Sequence, residues 1–264
     1  MSIEVATSWS DLHEKIFADS WDATIQRHRS RHAFRGATDA SHRLVTGLMR
    51  LGGPYLRLEP HLLRNFKKYA HRSVVEQDSL WHWLSVAQHH GLPTRLLDWT
   101  YSPMVALHFA TWEMDRQDVD GAVWKVDYSK AHQLLPRRVR EVLEREGAQI
   151  FTVEMLSENF ASLRDLDGLS SPGGADFVMF FEPPSLDDRI VNQFAYFSVL
   201  SRADLTMDDW LAAHPGLWKK IVIPKELKWE VRDKLDESNI TERVLFPGLD
   251  GLSQWLKRHY TPRM

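Results

Sequence analysis

The chain has 264 residues, a formal net charge of -3 and no cysteine, and 43% of its residues are hydrophobic. This length is ample for a hydrophobic core, and the absence of cysteine excludes disulfides, thiolate nucleophiles and cysteine-ligated metal centres. The near-neutral charge gives no global argument for nucleic-acid binding. Because the N-terminal segment lacks a signal-peptide pattern and no apolar run approaches a membrane span, we expect a soluble cytoplasmic protein without a membrane partner.

Apolar periodicity and capping residues predict helices along the whole chain. Ser8 or Ser10 is expected to cap the first of them, and Gly91 followed by Pro93 is a typical helix stop. The predicted helices cover about 11–18, 61–72, 75–90, 103–114, 136–146, 153–166, 206–213, 225–238 and 250–260.

Short apolar runs bounded by turn residues predict the strands, mostly in the second half of the chain. They cover 32–37, 121–128, 176–183, 194–200, 219–224 and 242–247. Because they do not alternate regularly with helices, we predict an α+β fold in which a helix-rich first half packs on a mainly mixed or antiparallel sheet. The Ser/Pro/Gly-rich loop 170–177 is predicted to be mobile.

Arg35 lies in a strand-like pattern between Phe34 and Gly36. The glycine permits close approach by another backbone or a ligand, and an arginine there can clamp a phosphate or carboxylate. The alternative is a buried ion pair that fixes the strand, for which Asp98 is the candidate partner.

Three polar residues, Thr94, Arg95 and Asp98, lie on a predicted loop or irregular strand between two helices. Leu96 and Leu97 would bury this segment, so its polar groups need specific partners. Either the segment cradles a ligand, or it is a helix connection in which Asp98 and Ser102 act as caps. Further along, Gln193 would bond either a ligand ribose or base, or a neighbouring backbone.

Histidines give no metal pattern. His89 and His90 are adjacent, so on a helix their rings point about 100° apart and cannot easily share one ion. We therefore expect no metal site.

Together these stretches resemble the FRG domain family. The motifs are Phe34-Arg35-Gly36, the run 88–100 (QHHGLPTRLLDWT) with the following Ser102-Pro103, Arg189-Ile190 with Gln193 and Phe197, and the run 245–252 (LFPGLDGL). The resemblance runs from about residue 20 to 258, which implies a single FRG domain over 1–264 with a short N-terminal helical extension. Ala195 departs from the family pattern, in which glycine often follows the glutamine.

A more distant resemblance links the aromatic-Arg-Gly strand and the Ser-Pro helix start to two motifs of the ADP-ribosyltransferases. It implies an ADP-ribosyltransferase-like core that uses NAD as substrate, as a transferase or glycohydrolase, with a protein or nucleic acid as acceptor. Such a protein would act as a bacterial toxin or as a phage-defence effector.

The same resemblance implies roles for individual residues. Arg35 would bind the NAD diphosphate, and Thr94 or Arg95 would orient the ribose or the target. Gln193 would stand where those enzymes usually place a glutamate, so the missing negative charge would come from Asp98, Glu182 or Glu242. An aromatic ring, Trp99 or Tyr101, would stack on nicotinamide. The other expected ligand contacts are Phe34, Gly36 and His90.

Two alternatives stay open. A non-catalytic sensor module could bind a nucleotide or a nucleic-acid end, aided by the basic stretches 27–32 and 64–72. A nuclease could use His89 or His90 as general base.

Overall fold

The computed structural model describes residues 3–70, 78–169 and 175–263. The strands in these ranges are β1 (Ile3–Val5), β2 (Trp21–Asp22), β3 (Arg27–His28), β4 (His32–Ala37), β5 (Leu97–Thr100), β6 (Gly121–Asp127), β7 (Phe151–Thr152), β8 (Val178–Glu182), β9 (Ala195–Leu200) and β10 (Trp218–Ile223). The helices are α1 (Trp9–Phe17), α2 (Gly47–Arg50), α3 (Tyr55–Ala70), α4 (Leu80–His89), α5 (Pro103–Thr111), α6 (Tyr128–Gln133), α7 (Arg137–Glu146), α8 (Val153–Asn159), α9 (Leu163–Asp167), α10 (Asp188–Asn192), α11 (Met207–Ala212), α12 (Lys225–Glu237), α13 (Glu242–Leu245) and α14 (Leu249–His259).

Eight strands form one mixed sheet in the order β1-β10-β6-β4-β5-β9-β8-β7, and β2 pairs with β3 in a separate ribbon. The two edge strands, β1 and β7, pair in parallel with their neighbours, and the inner pairs are antiparallel. The predicted α+β class is therefore confirmed. Helices and strands both come from both halves of the chain, because β1, β4 and β5 of the first half lie in the same sheet as β6 to β10.

Most predicted helices are present. Ser8 is the first cap, its hydroxyl accepting from the Asp11 N–H at 3.2 Å. The predicted start behind Pro60 is wrong, because α3 begins at Tyr55 and keeps Pro60 inside it. One intrahelical hydrogen bond is lost there, yet Glu59 just before the proline is buried, which holds this part of the helix against the protein.

Two further expectations concern element boundaries. The helix predicted from residue 75 begins at Leu80 behind its Ser79 cap, and residues 71–77 lie outside the described residues. The mobility predicted for the loop 170–177 falls mainly on residues 170–174, which are also outside them.

The strand predicted at 242–247 is wrong, because residues Glu242–Leu245 form the short helix α13. Glu242 is buried and accepts two 2.7 Å hydrogen bonds from Arg258 of α14. This contact with the last helix, distant in sequence, selects a conformation that the local apolar pattern does not predict.

Alternate residues of the strands face different cores. One face of the sheet packs Trp99, Phe180 and Tyr196 against α6 and α11. The opposite face carries two separate cores: one lies between β7–β9 and the helices α4, α7 and α8, and the other between β10, β6, β4 and the helices α1, α5 and α12. The border between these two cores falls between β4 and β5.

His132 on α6 is buried and has both ring nitrogens satisfied. Its Nδ1 lies 2.9 Å from the Gln149 carbonyl oxygen, and its Nε2 accepts from the Phe180 N–H at 2.9 Å. These two bonds require the neutral ring with the proton on Nδ1. Burial lowers the pKa of His132 from 6.5 to about 4, against the weaker opposite effect of the Gln149 carbonyl.

We expect the free energy of unfolding to fall as pH drops from about 6.5 towards 4. In that window the unfolded chain binds a proton on this ring and the native ring does not. The contribution of His132 to the free energy of unfolding is therefore fully present above about pH 6.5 and is lost progressively as the pH falls towards 4. The loss from His132 is roughly 3 kcal/mol at about 1.4 kcal/mol per pKa unit. Urea unfolding across this pH range would measure it, and His132→Gln should flatten the pH slope; an equal slope in the variant would contradict the assignment.

Candidate functional site

A cleft of about 620 Å³ opens at the border between β4 and β5. These strands share a single residue pair, Phe34 opposite Thr100. Beyond it they separate, and Arg35 and Gly36 on β4 and Asp98 on β5 line the gap. The C-terminal ends of α4 and α5, the helix α10 and the segment 42–50 supply further walls. The sheet itself therefore creates the site, by a local loss of strand pairing.

Arg35 bridges this gap. Its Nη1 donates to the carbonyl oxygen of Asp98 and lies 3.9 Å from the Asp98 carboxylate. Its side chain is 22% exposed and that of Asp98 is 58% exposed. Burial lowers the pKa of Arg35, the Asp98 carboxylate opposes this, and Arg50 adds to it. The pair is neither deeply buried nor closely joined, so the guanidinium keeps donors for an anion in the cleft.

The Asp98 carboxylate is positioned from α4. Gln88 Nε2 donates to Asp98 Oδ2 at 2.8 Å, and Gln88 Oε1 accepts from the Thr94 hydroxyl at 2.6 Å. The Thr94 oxygen in turn accepts from the Leu96 N–H at 3.0 Å. Thr94 was expected to contact a ligand; the structure buries it outside the cleft lining, where it supports Asp98 through Gln88.

Arg95 also lies outside the cleft lining. Its guanidinium binds Glu59 of α3 through contacts of 2.6, 2.8 and 3.0 Å and Asp167 of α9 at 2.7 Å. Arg95 and Glu59 are both buried. The expected ligand contact of Arg95 is therefore corrected to a buried ion pair that joins α3 and α9 to the segment before β5.

Trp99 borders the cleft, but its indole belongs to the core. The ring is buried, its Nε1 donates to Ser198 Oγ at 2.8 Å, and it packs edge-to-face on Phe180. Stacking of nicotinamide on Trp99 is thus not available in this geometry. Tyr101, the other candidate, is exposed but lies outside the cleft lining, where it packs on Phe194 and Tyr196.

Gln193, at the C-terminal end of α10, also lines the cleft. Its side-chain Nε2 donates to the Leu245 carbonyl at 2.9 Å, and its own carbonyl accepts from the Thr100 hydroxyl at 2.8 Å. The amide nitrogen thus bonds a neighbouring backbone, as the structural alternative proposed, while the residue still faces the site.

The two other acids considered from the sequence do not line the cleft. Glu242 is buried in its ion pair with Arg258, and Glu182 is exposed on β8. Glu113 lines the cleft instead and accepts from the Thr38 hydroxyl at 3.1 Å. Among the described residues, Asp98 and Glu113 are the carboxylates of the site.

The two adjacent histidines differ in setting. His89 Nε2 lies 2.7 Å from Asp187 Oδ2, and Asp187 also caps α10 by accepting from the Ile190 N–H at 3.0 Å. His90 is exposed, and its ring lies 5.1 Å from that of His89 at an angle of 75°. Both line the cleft. Asp187 binds Nε2 of His89, so Nδ1 is the nitrogen with which this ring can meet a bound molecule.

Residues 30–119 match the family model of the FRG domain. The resemblance inferred from the motifs is thereby confirmed for this range, which we call the FRG segment. No curated protein and no solved structure matches the chain.

The FRG segment supplies one wall of the cleft, and the opposite wall lies beyond it. Arg35, Asp98 and Glu113 fall inside the segment, whereas Arg189 and Gln193 follow it by some distance in sequence. The motif Arg189-Ile190 with Gln193 and Phe197 thus consists of residues that the fold brings to the same cleft, whereas the run 245–252 does not line it.

Two of the four arginines that line the cleft, Arg43 and Arg50, were not selected from the sequence. Three further arginines line the cleft: Arg43, Arg50 and Arg189. Arg50 ends the short helix α2, which the sequence pattern did not predict, and Arg189 lies 5.1 Å from the Phe246 ring centre. Arg189 was visible as part of an FRG motif, but no local pattern pointed to Arg43 or Arg50.

Gly36 of the FRG segment has a structural reason of its own. A Cβ at this position would collide with the Ala106 carbonyl oxygen and would lie 2.5 Å from Ala110 N and 2.8 Å from the Phe109 carbonyl carbon. All of these atoms belong to the backbone of α5. The glycine therefore permits the approach of a helix to β4, one of the two explanations considered from the sequence.

In the parts of the chain that the structure describes, no three metal-ligating side chains are grouped to hold an ion. In the same parts, no helix combines the length and apolarity needed to cross a bilayer.

Proposed function

We propose that the cleft binds NAD through its diphosphate and that the protein acts on NAD as an ADP-ribosyltransferase or NAD glycohydrolase. The observation that carries the proposal is the convergence of Arg35, Asp98 and Gln193 on one open cleft. These residues come from three separate stretches of the chain.

The charge of the cleft supports a diphosphate ligand. Four arginines and two carboxylates are among its described lining residues. Arg35 is partly desolvated; its Nη1 donates to the Asp98 carbonyl, but its nearest carboxylate oxygen is 3.9 Å away, so the Asp98 carboxylate leaves the other donors of the guanidinium unsatisfied. A guanidinium fork with unused donors suits phosphate oxygens. The volume of about 620 Å³ is in the range of small-molecule sites.

The chemistry would proceed by cleavage of the bond between C1′ of the ribose and the nicotinamide nitrogen. Nicotinamide leaves with the electron pair, and the ribose develops oxocarbenium character that a nearby negative charge stabilises. Asp98, held by Gln88, is the carboxylate closest to Arg35 and supplies this charge in our proposal; the Gln193 side chain contributes a neutral amide. Water or a hydroxyl of a protein or nucleic-acid acceptor then attacks C1′, and His89, fixed by Asp187, takes the proton.

The test is to incubate the protein with NAD and to follow nicotinamide release and transfer of labelled ADP-ribose. We expect Arg35→Ala to lower the rate at least about a hundredfold, as loss of a charge-stabilising donor does in other enzymes. Arg202→Ala, which removes an exposed arginine paired with Asp204, should leave the rate unchanged. Absence of nicotinamide release, together with equal NAD binding by wild type and Arg35→Ala, would refute the proposal.

One observation favours a second function, a non-catalytic module that binds nucleotides or nucleic-acid ends. The residue in the position expected for a catalytic glutamate is Gln193, and its amide is engaged with the Leu245 backbone. Salt-dependent binding of RNA or DNA without NAD turnover would support this module instead.

A further inference from the structure

A second pocket, of about 430 Å³, lies at the ends of β4, β6 and β10, and it shares none of its lining residues with the cleft. Five charged residues line it: Asp19, Lys125, Asp127, Lys130 and Lys219. His32 and the loop before β10 complete the wall. The proposed NAD chemistry uses none of these groups.

Lys125 is the unusual residue of this pocket. Its side chain is 1% exposed, its ammonium donates to the Ala18 carbonyl, and its nearest carboxylate, that of Asp19, is 3.8 Å away. Lys219 stands directly opposite Lys125 in the antiparallel pair of β10 and β6. Like charges in this position destabilise a strand pair, and a buried ammonium without a close counter-ion is costly. Both unfavourable contributions, the like-charge pair and the buried ammonium, thus involve Lys125.

The two lysines share one carboxylate. Asp19 Oδ2 is 3.0 Å from Lys219 Nζ and 3.8 Å from Lys125 Nζ. Glu4 adds a more distant contact of 3.9 Å to Lys219 only. The other lining acid, Asp127, lies 3.1 Å from Lys130 and caps α6. Asp127 and Glu4 therefore act on Lys125 only from a longer distance, and Asp19 is its nearest counter-ion.

Asp19 has a left-handed backbone conformation. Its φ is 58°, in the left-handed region that few residues other than glycine, asparagine and aspartate adopt. Its side chain is 56% exposed, so the carboxylate lies at the mouth of the pocket. A carboxylate that is solvated on one side and shared between two lysines can be displaced by a stronger anion.

We propose that this pocket is a second ligand site that binds the phosphate group of a small phosphorylated molecule between Lys125 and Lys219, in competition with Asp19. A dianion is expected to bind more tightly than a carboxylate, because the ligand must displace the Asp19 carboxylate, a monoanion that already contacts both lysines. The volume of the pocket leaves room for more than the phosphate itself.

The experiment is calorimetric titration with sulfate, a dianion that does not titrate near neutral pH, with acetate as the monoanion comparison. Lys219→Met should weaken sulfate binding about tenfold or more. Asp19→Asn should strengthen it, because the built-in competitor loses its charge while asparagine tolerates the left-handed backbone. Lys220→Met is the matched control: it changes the next residue of β10, whose ammonium bonds the Ala40 carbonyl on the other face, and should have no effect.

Proton uptake separates this site from the cleft. Burial, with the repulsion of Lys219, lowers the pKa of Lys125 to about 8 against the opposing effect of Asp19. Sulfate beside Lys125 would raise that pKa again, so binding at pH 8 should take up about half a proton. Titrations in buffers of different ionisation enthalpy measure this uptake, which should persist in Arg35→Ala and vanish in Lys125→Met.

Three results would overturn the proposal: sulfate binding without proton uptake, weaker binding by Asp19→Asn, or equal losses in Lys219→Met and Lys220→Met. If Lys125→Met does not fold, the Asp19→Asn and Lys219→Met titrations still decide. Because none of these measurements involves NAD, their outcome is independent of the function proposed for the cleft.

Discussion

Replacing Gly36 by alanine is expected to lower the free energy of unfolding by about 3 kcal/mol, at the upper end of the cost of overpacking a core. The three atoms nearest to the added methyl all belong to the backbone of α5: the Ala106 carbonyl oxygen, Ala110 N and the Phe109 carbonyl carbon. No side chain can rotate away to make room, so the helix itself must shift from the sheet. Urea unfolding at neutral pH would measure the loss.

Gly216→Ala is the matched control. A Cβ at Gly216 would meet nothing within 4 Å, and the backbone there is not left-handed. The same change of composition should therefore leave the unfolding free energy nearly unchanged. If Gly36→Ala proves as stable as Gly216→Ala, α5 does not pack on β4 as described, and the cleft wall that α5 supplies would have to be placed differently.

Gly36 also shows what the local sequence can predict and what it cannot. The sequence indicated close approach at this residue but left open whether a ligand or a backbone approaches. The answer depends on α5, about seventy residues later, whose small residues Ala106 and Ala110 face the glycine. Non-local packing decided between two explanations that the local sequence could not separate.

The same limit applies to the site as a whole. Arg35, Asp98 and Gln193 could be selected from motifs, and the fold brings all three to one cleft. The sequence did not point to three other lining residues, Arg43, Arg50 and Glu113. They belong to no recognisable motif, and their place in the cleft depends on how β4, α2 and α5 pack together. Periodicity predicted most helices for a related reason: an amphipathic stripe is a local property, whereas the opening between β4 and β5 depends on two strands about sixty residues apart.

Arg95 shows the opposite outcome, a motif residue whose role is structural. It lies three residues before Asp98, inside the stretch that resembles the FRG signature, yet it does not line the cleft. Its ion pair with Glu59 ties α3 to the segment that leads into β5. The FRG signature therefore contains residues that line the cleft, such as Asp98, and residues that stabilise the structure around it, such as Arg95.

Arg95→Met is expected to lower the free energy of unfolding by about 3–5 kcal/mol, because it leaves the buried Glu59 carboxylate without its partner. Asp167, whose side chain is 48% exposed, can return to water and adds little to the loss. Arg137→Met, which breaks the exposed pair with Glu141, is the control and should leave stability within experimental error. Urea unfolding of the three proteins gives the comparison.

The double variant Arg95→Met/Glu59→Leu separates a structural role from ligand binding. With both charges gone, no buried ion is left unpaired, so most of the lost stability should return, as happens when apolar side chains replace a whole buried ion pair. Neither residue lines the cleft, so the double variant should bind NAD as tightly as wild type, while Arg35→Ala should not. A double variant that is stable but no longer binds would instead return Arg95 to the ligand site.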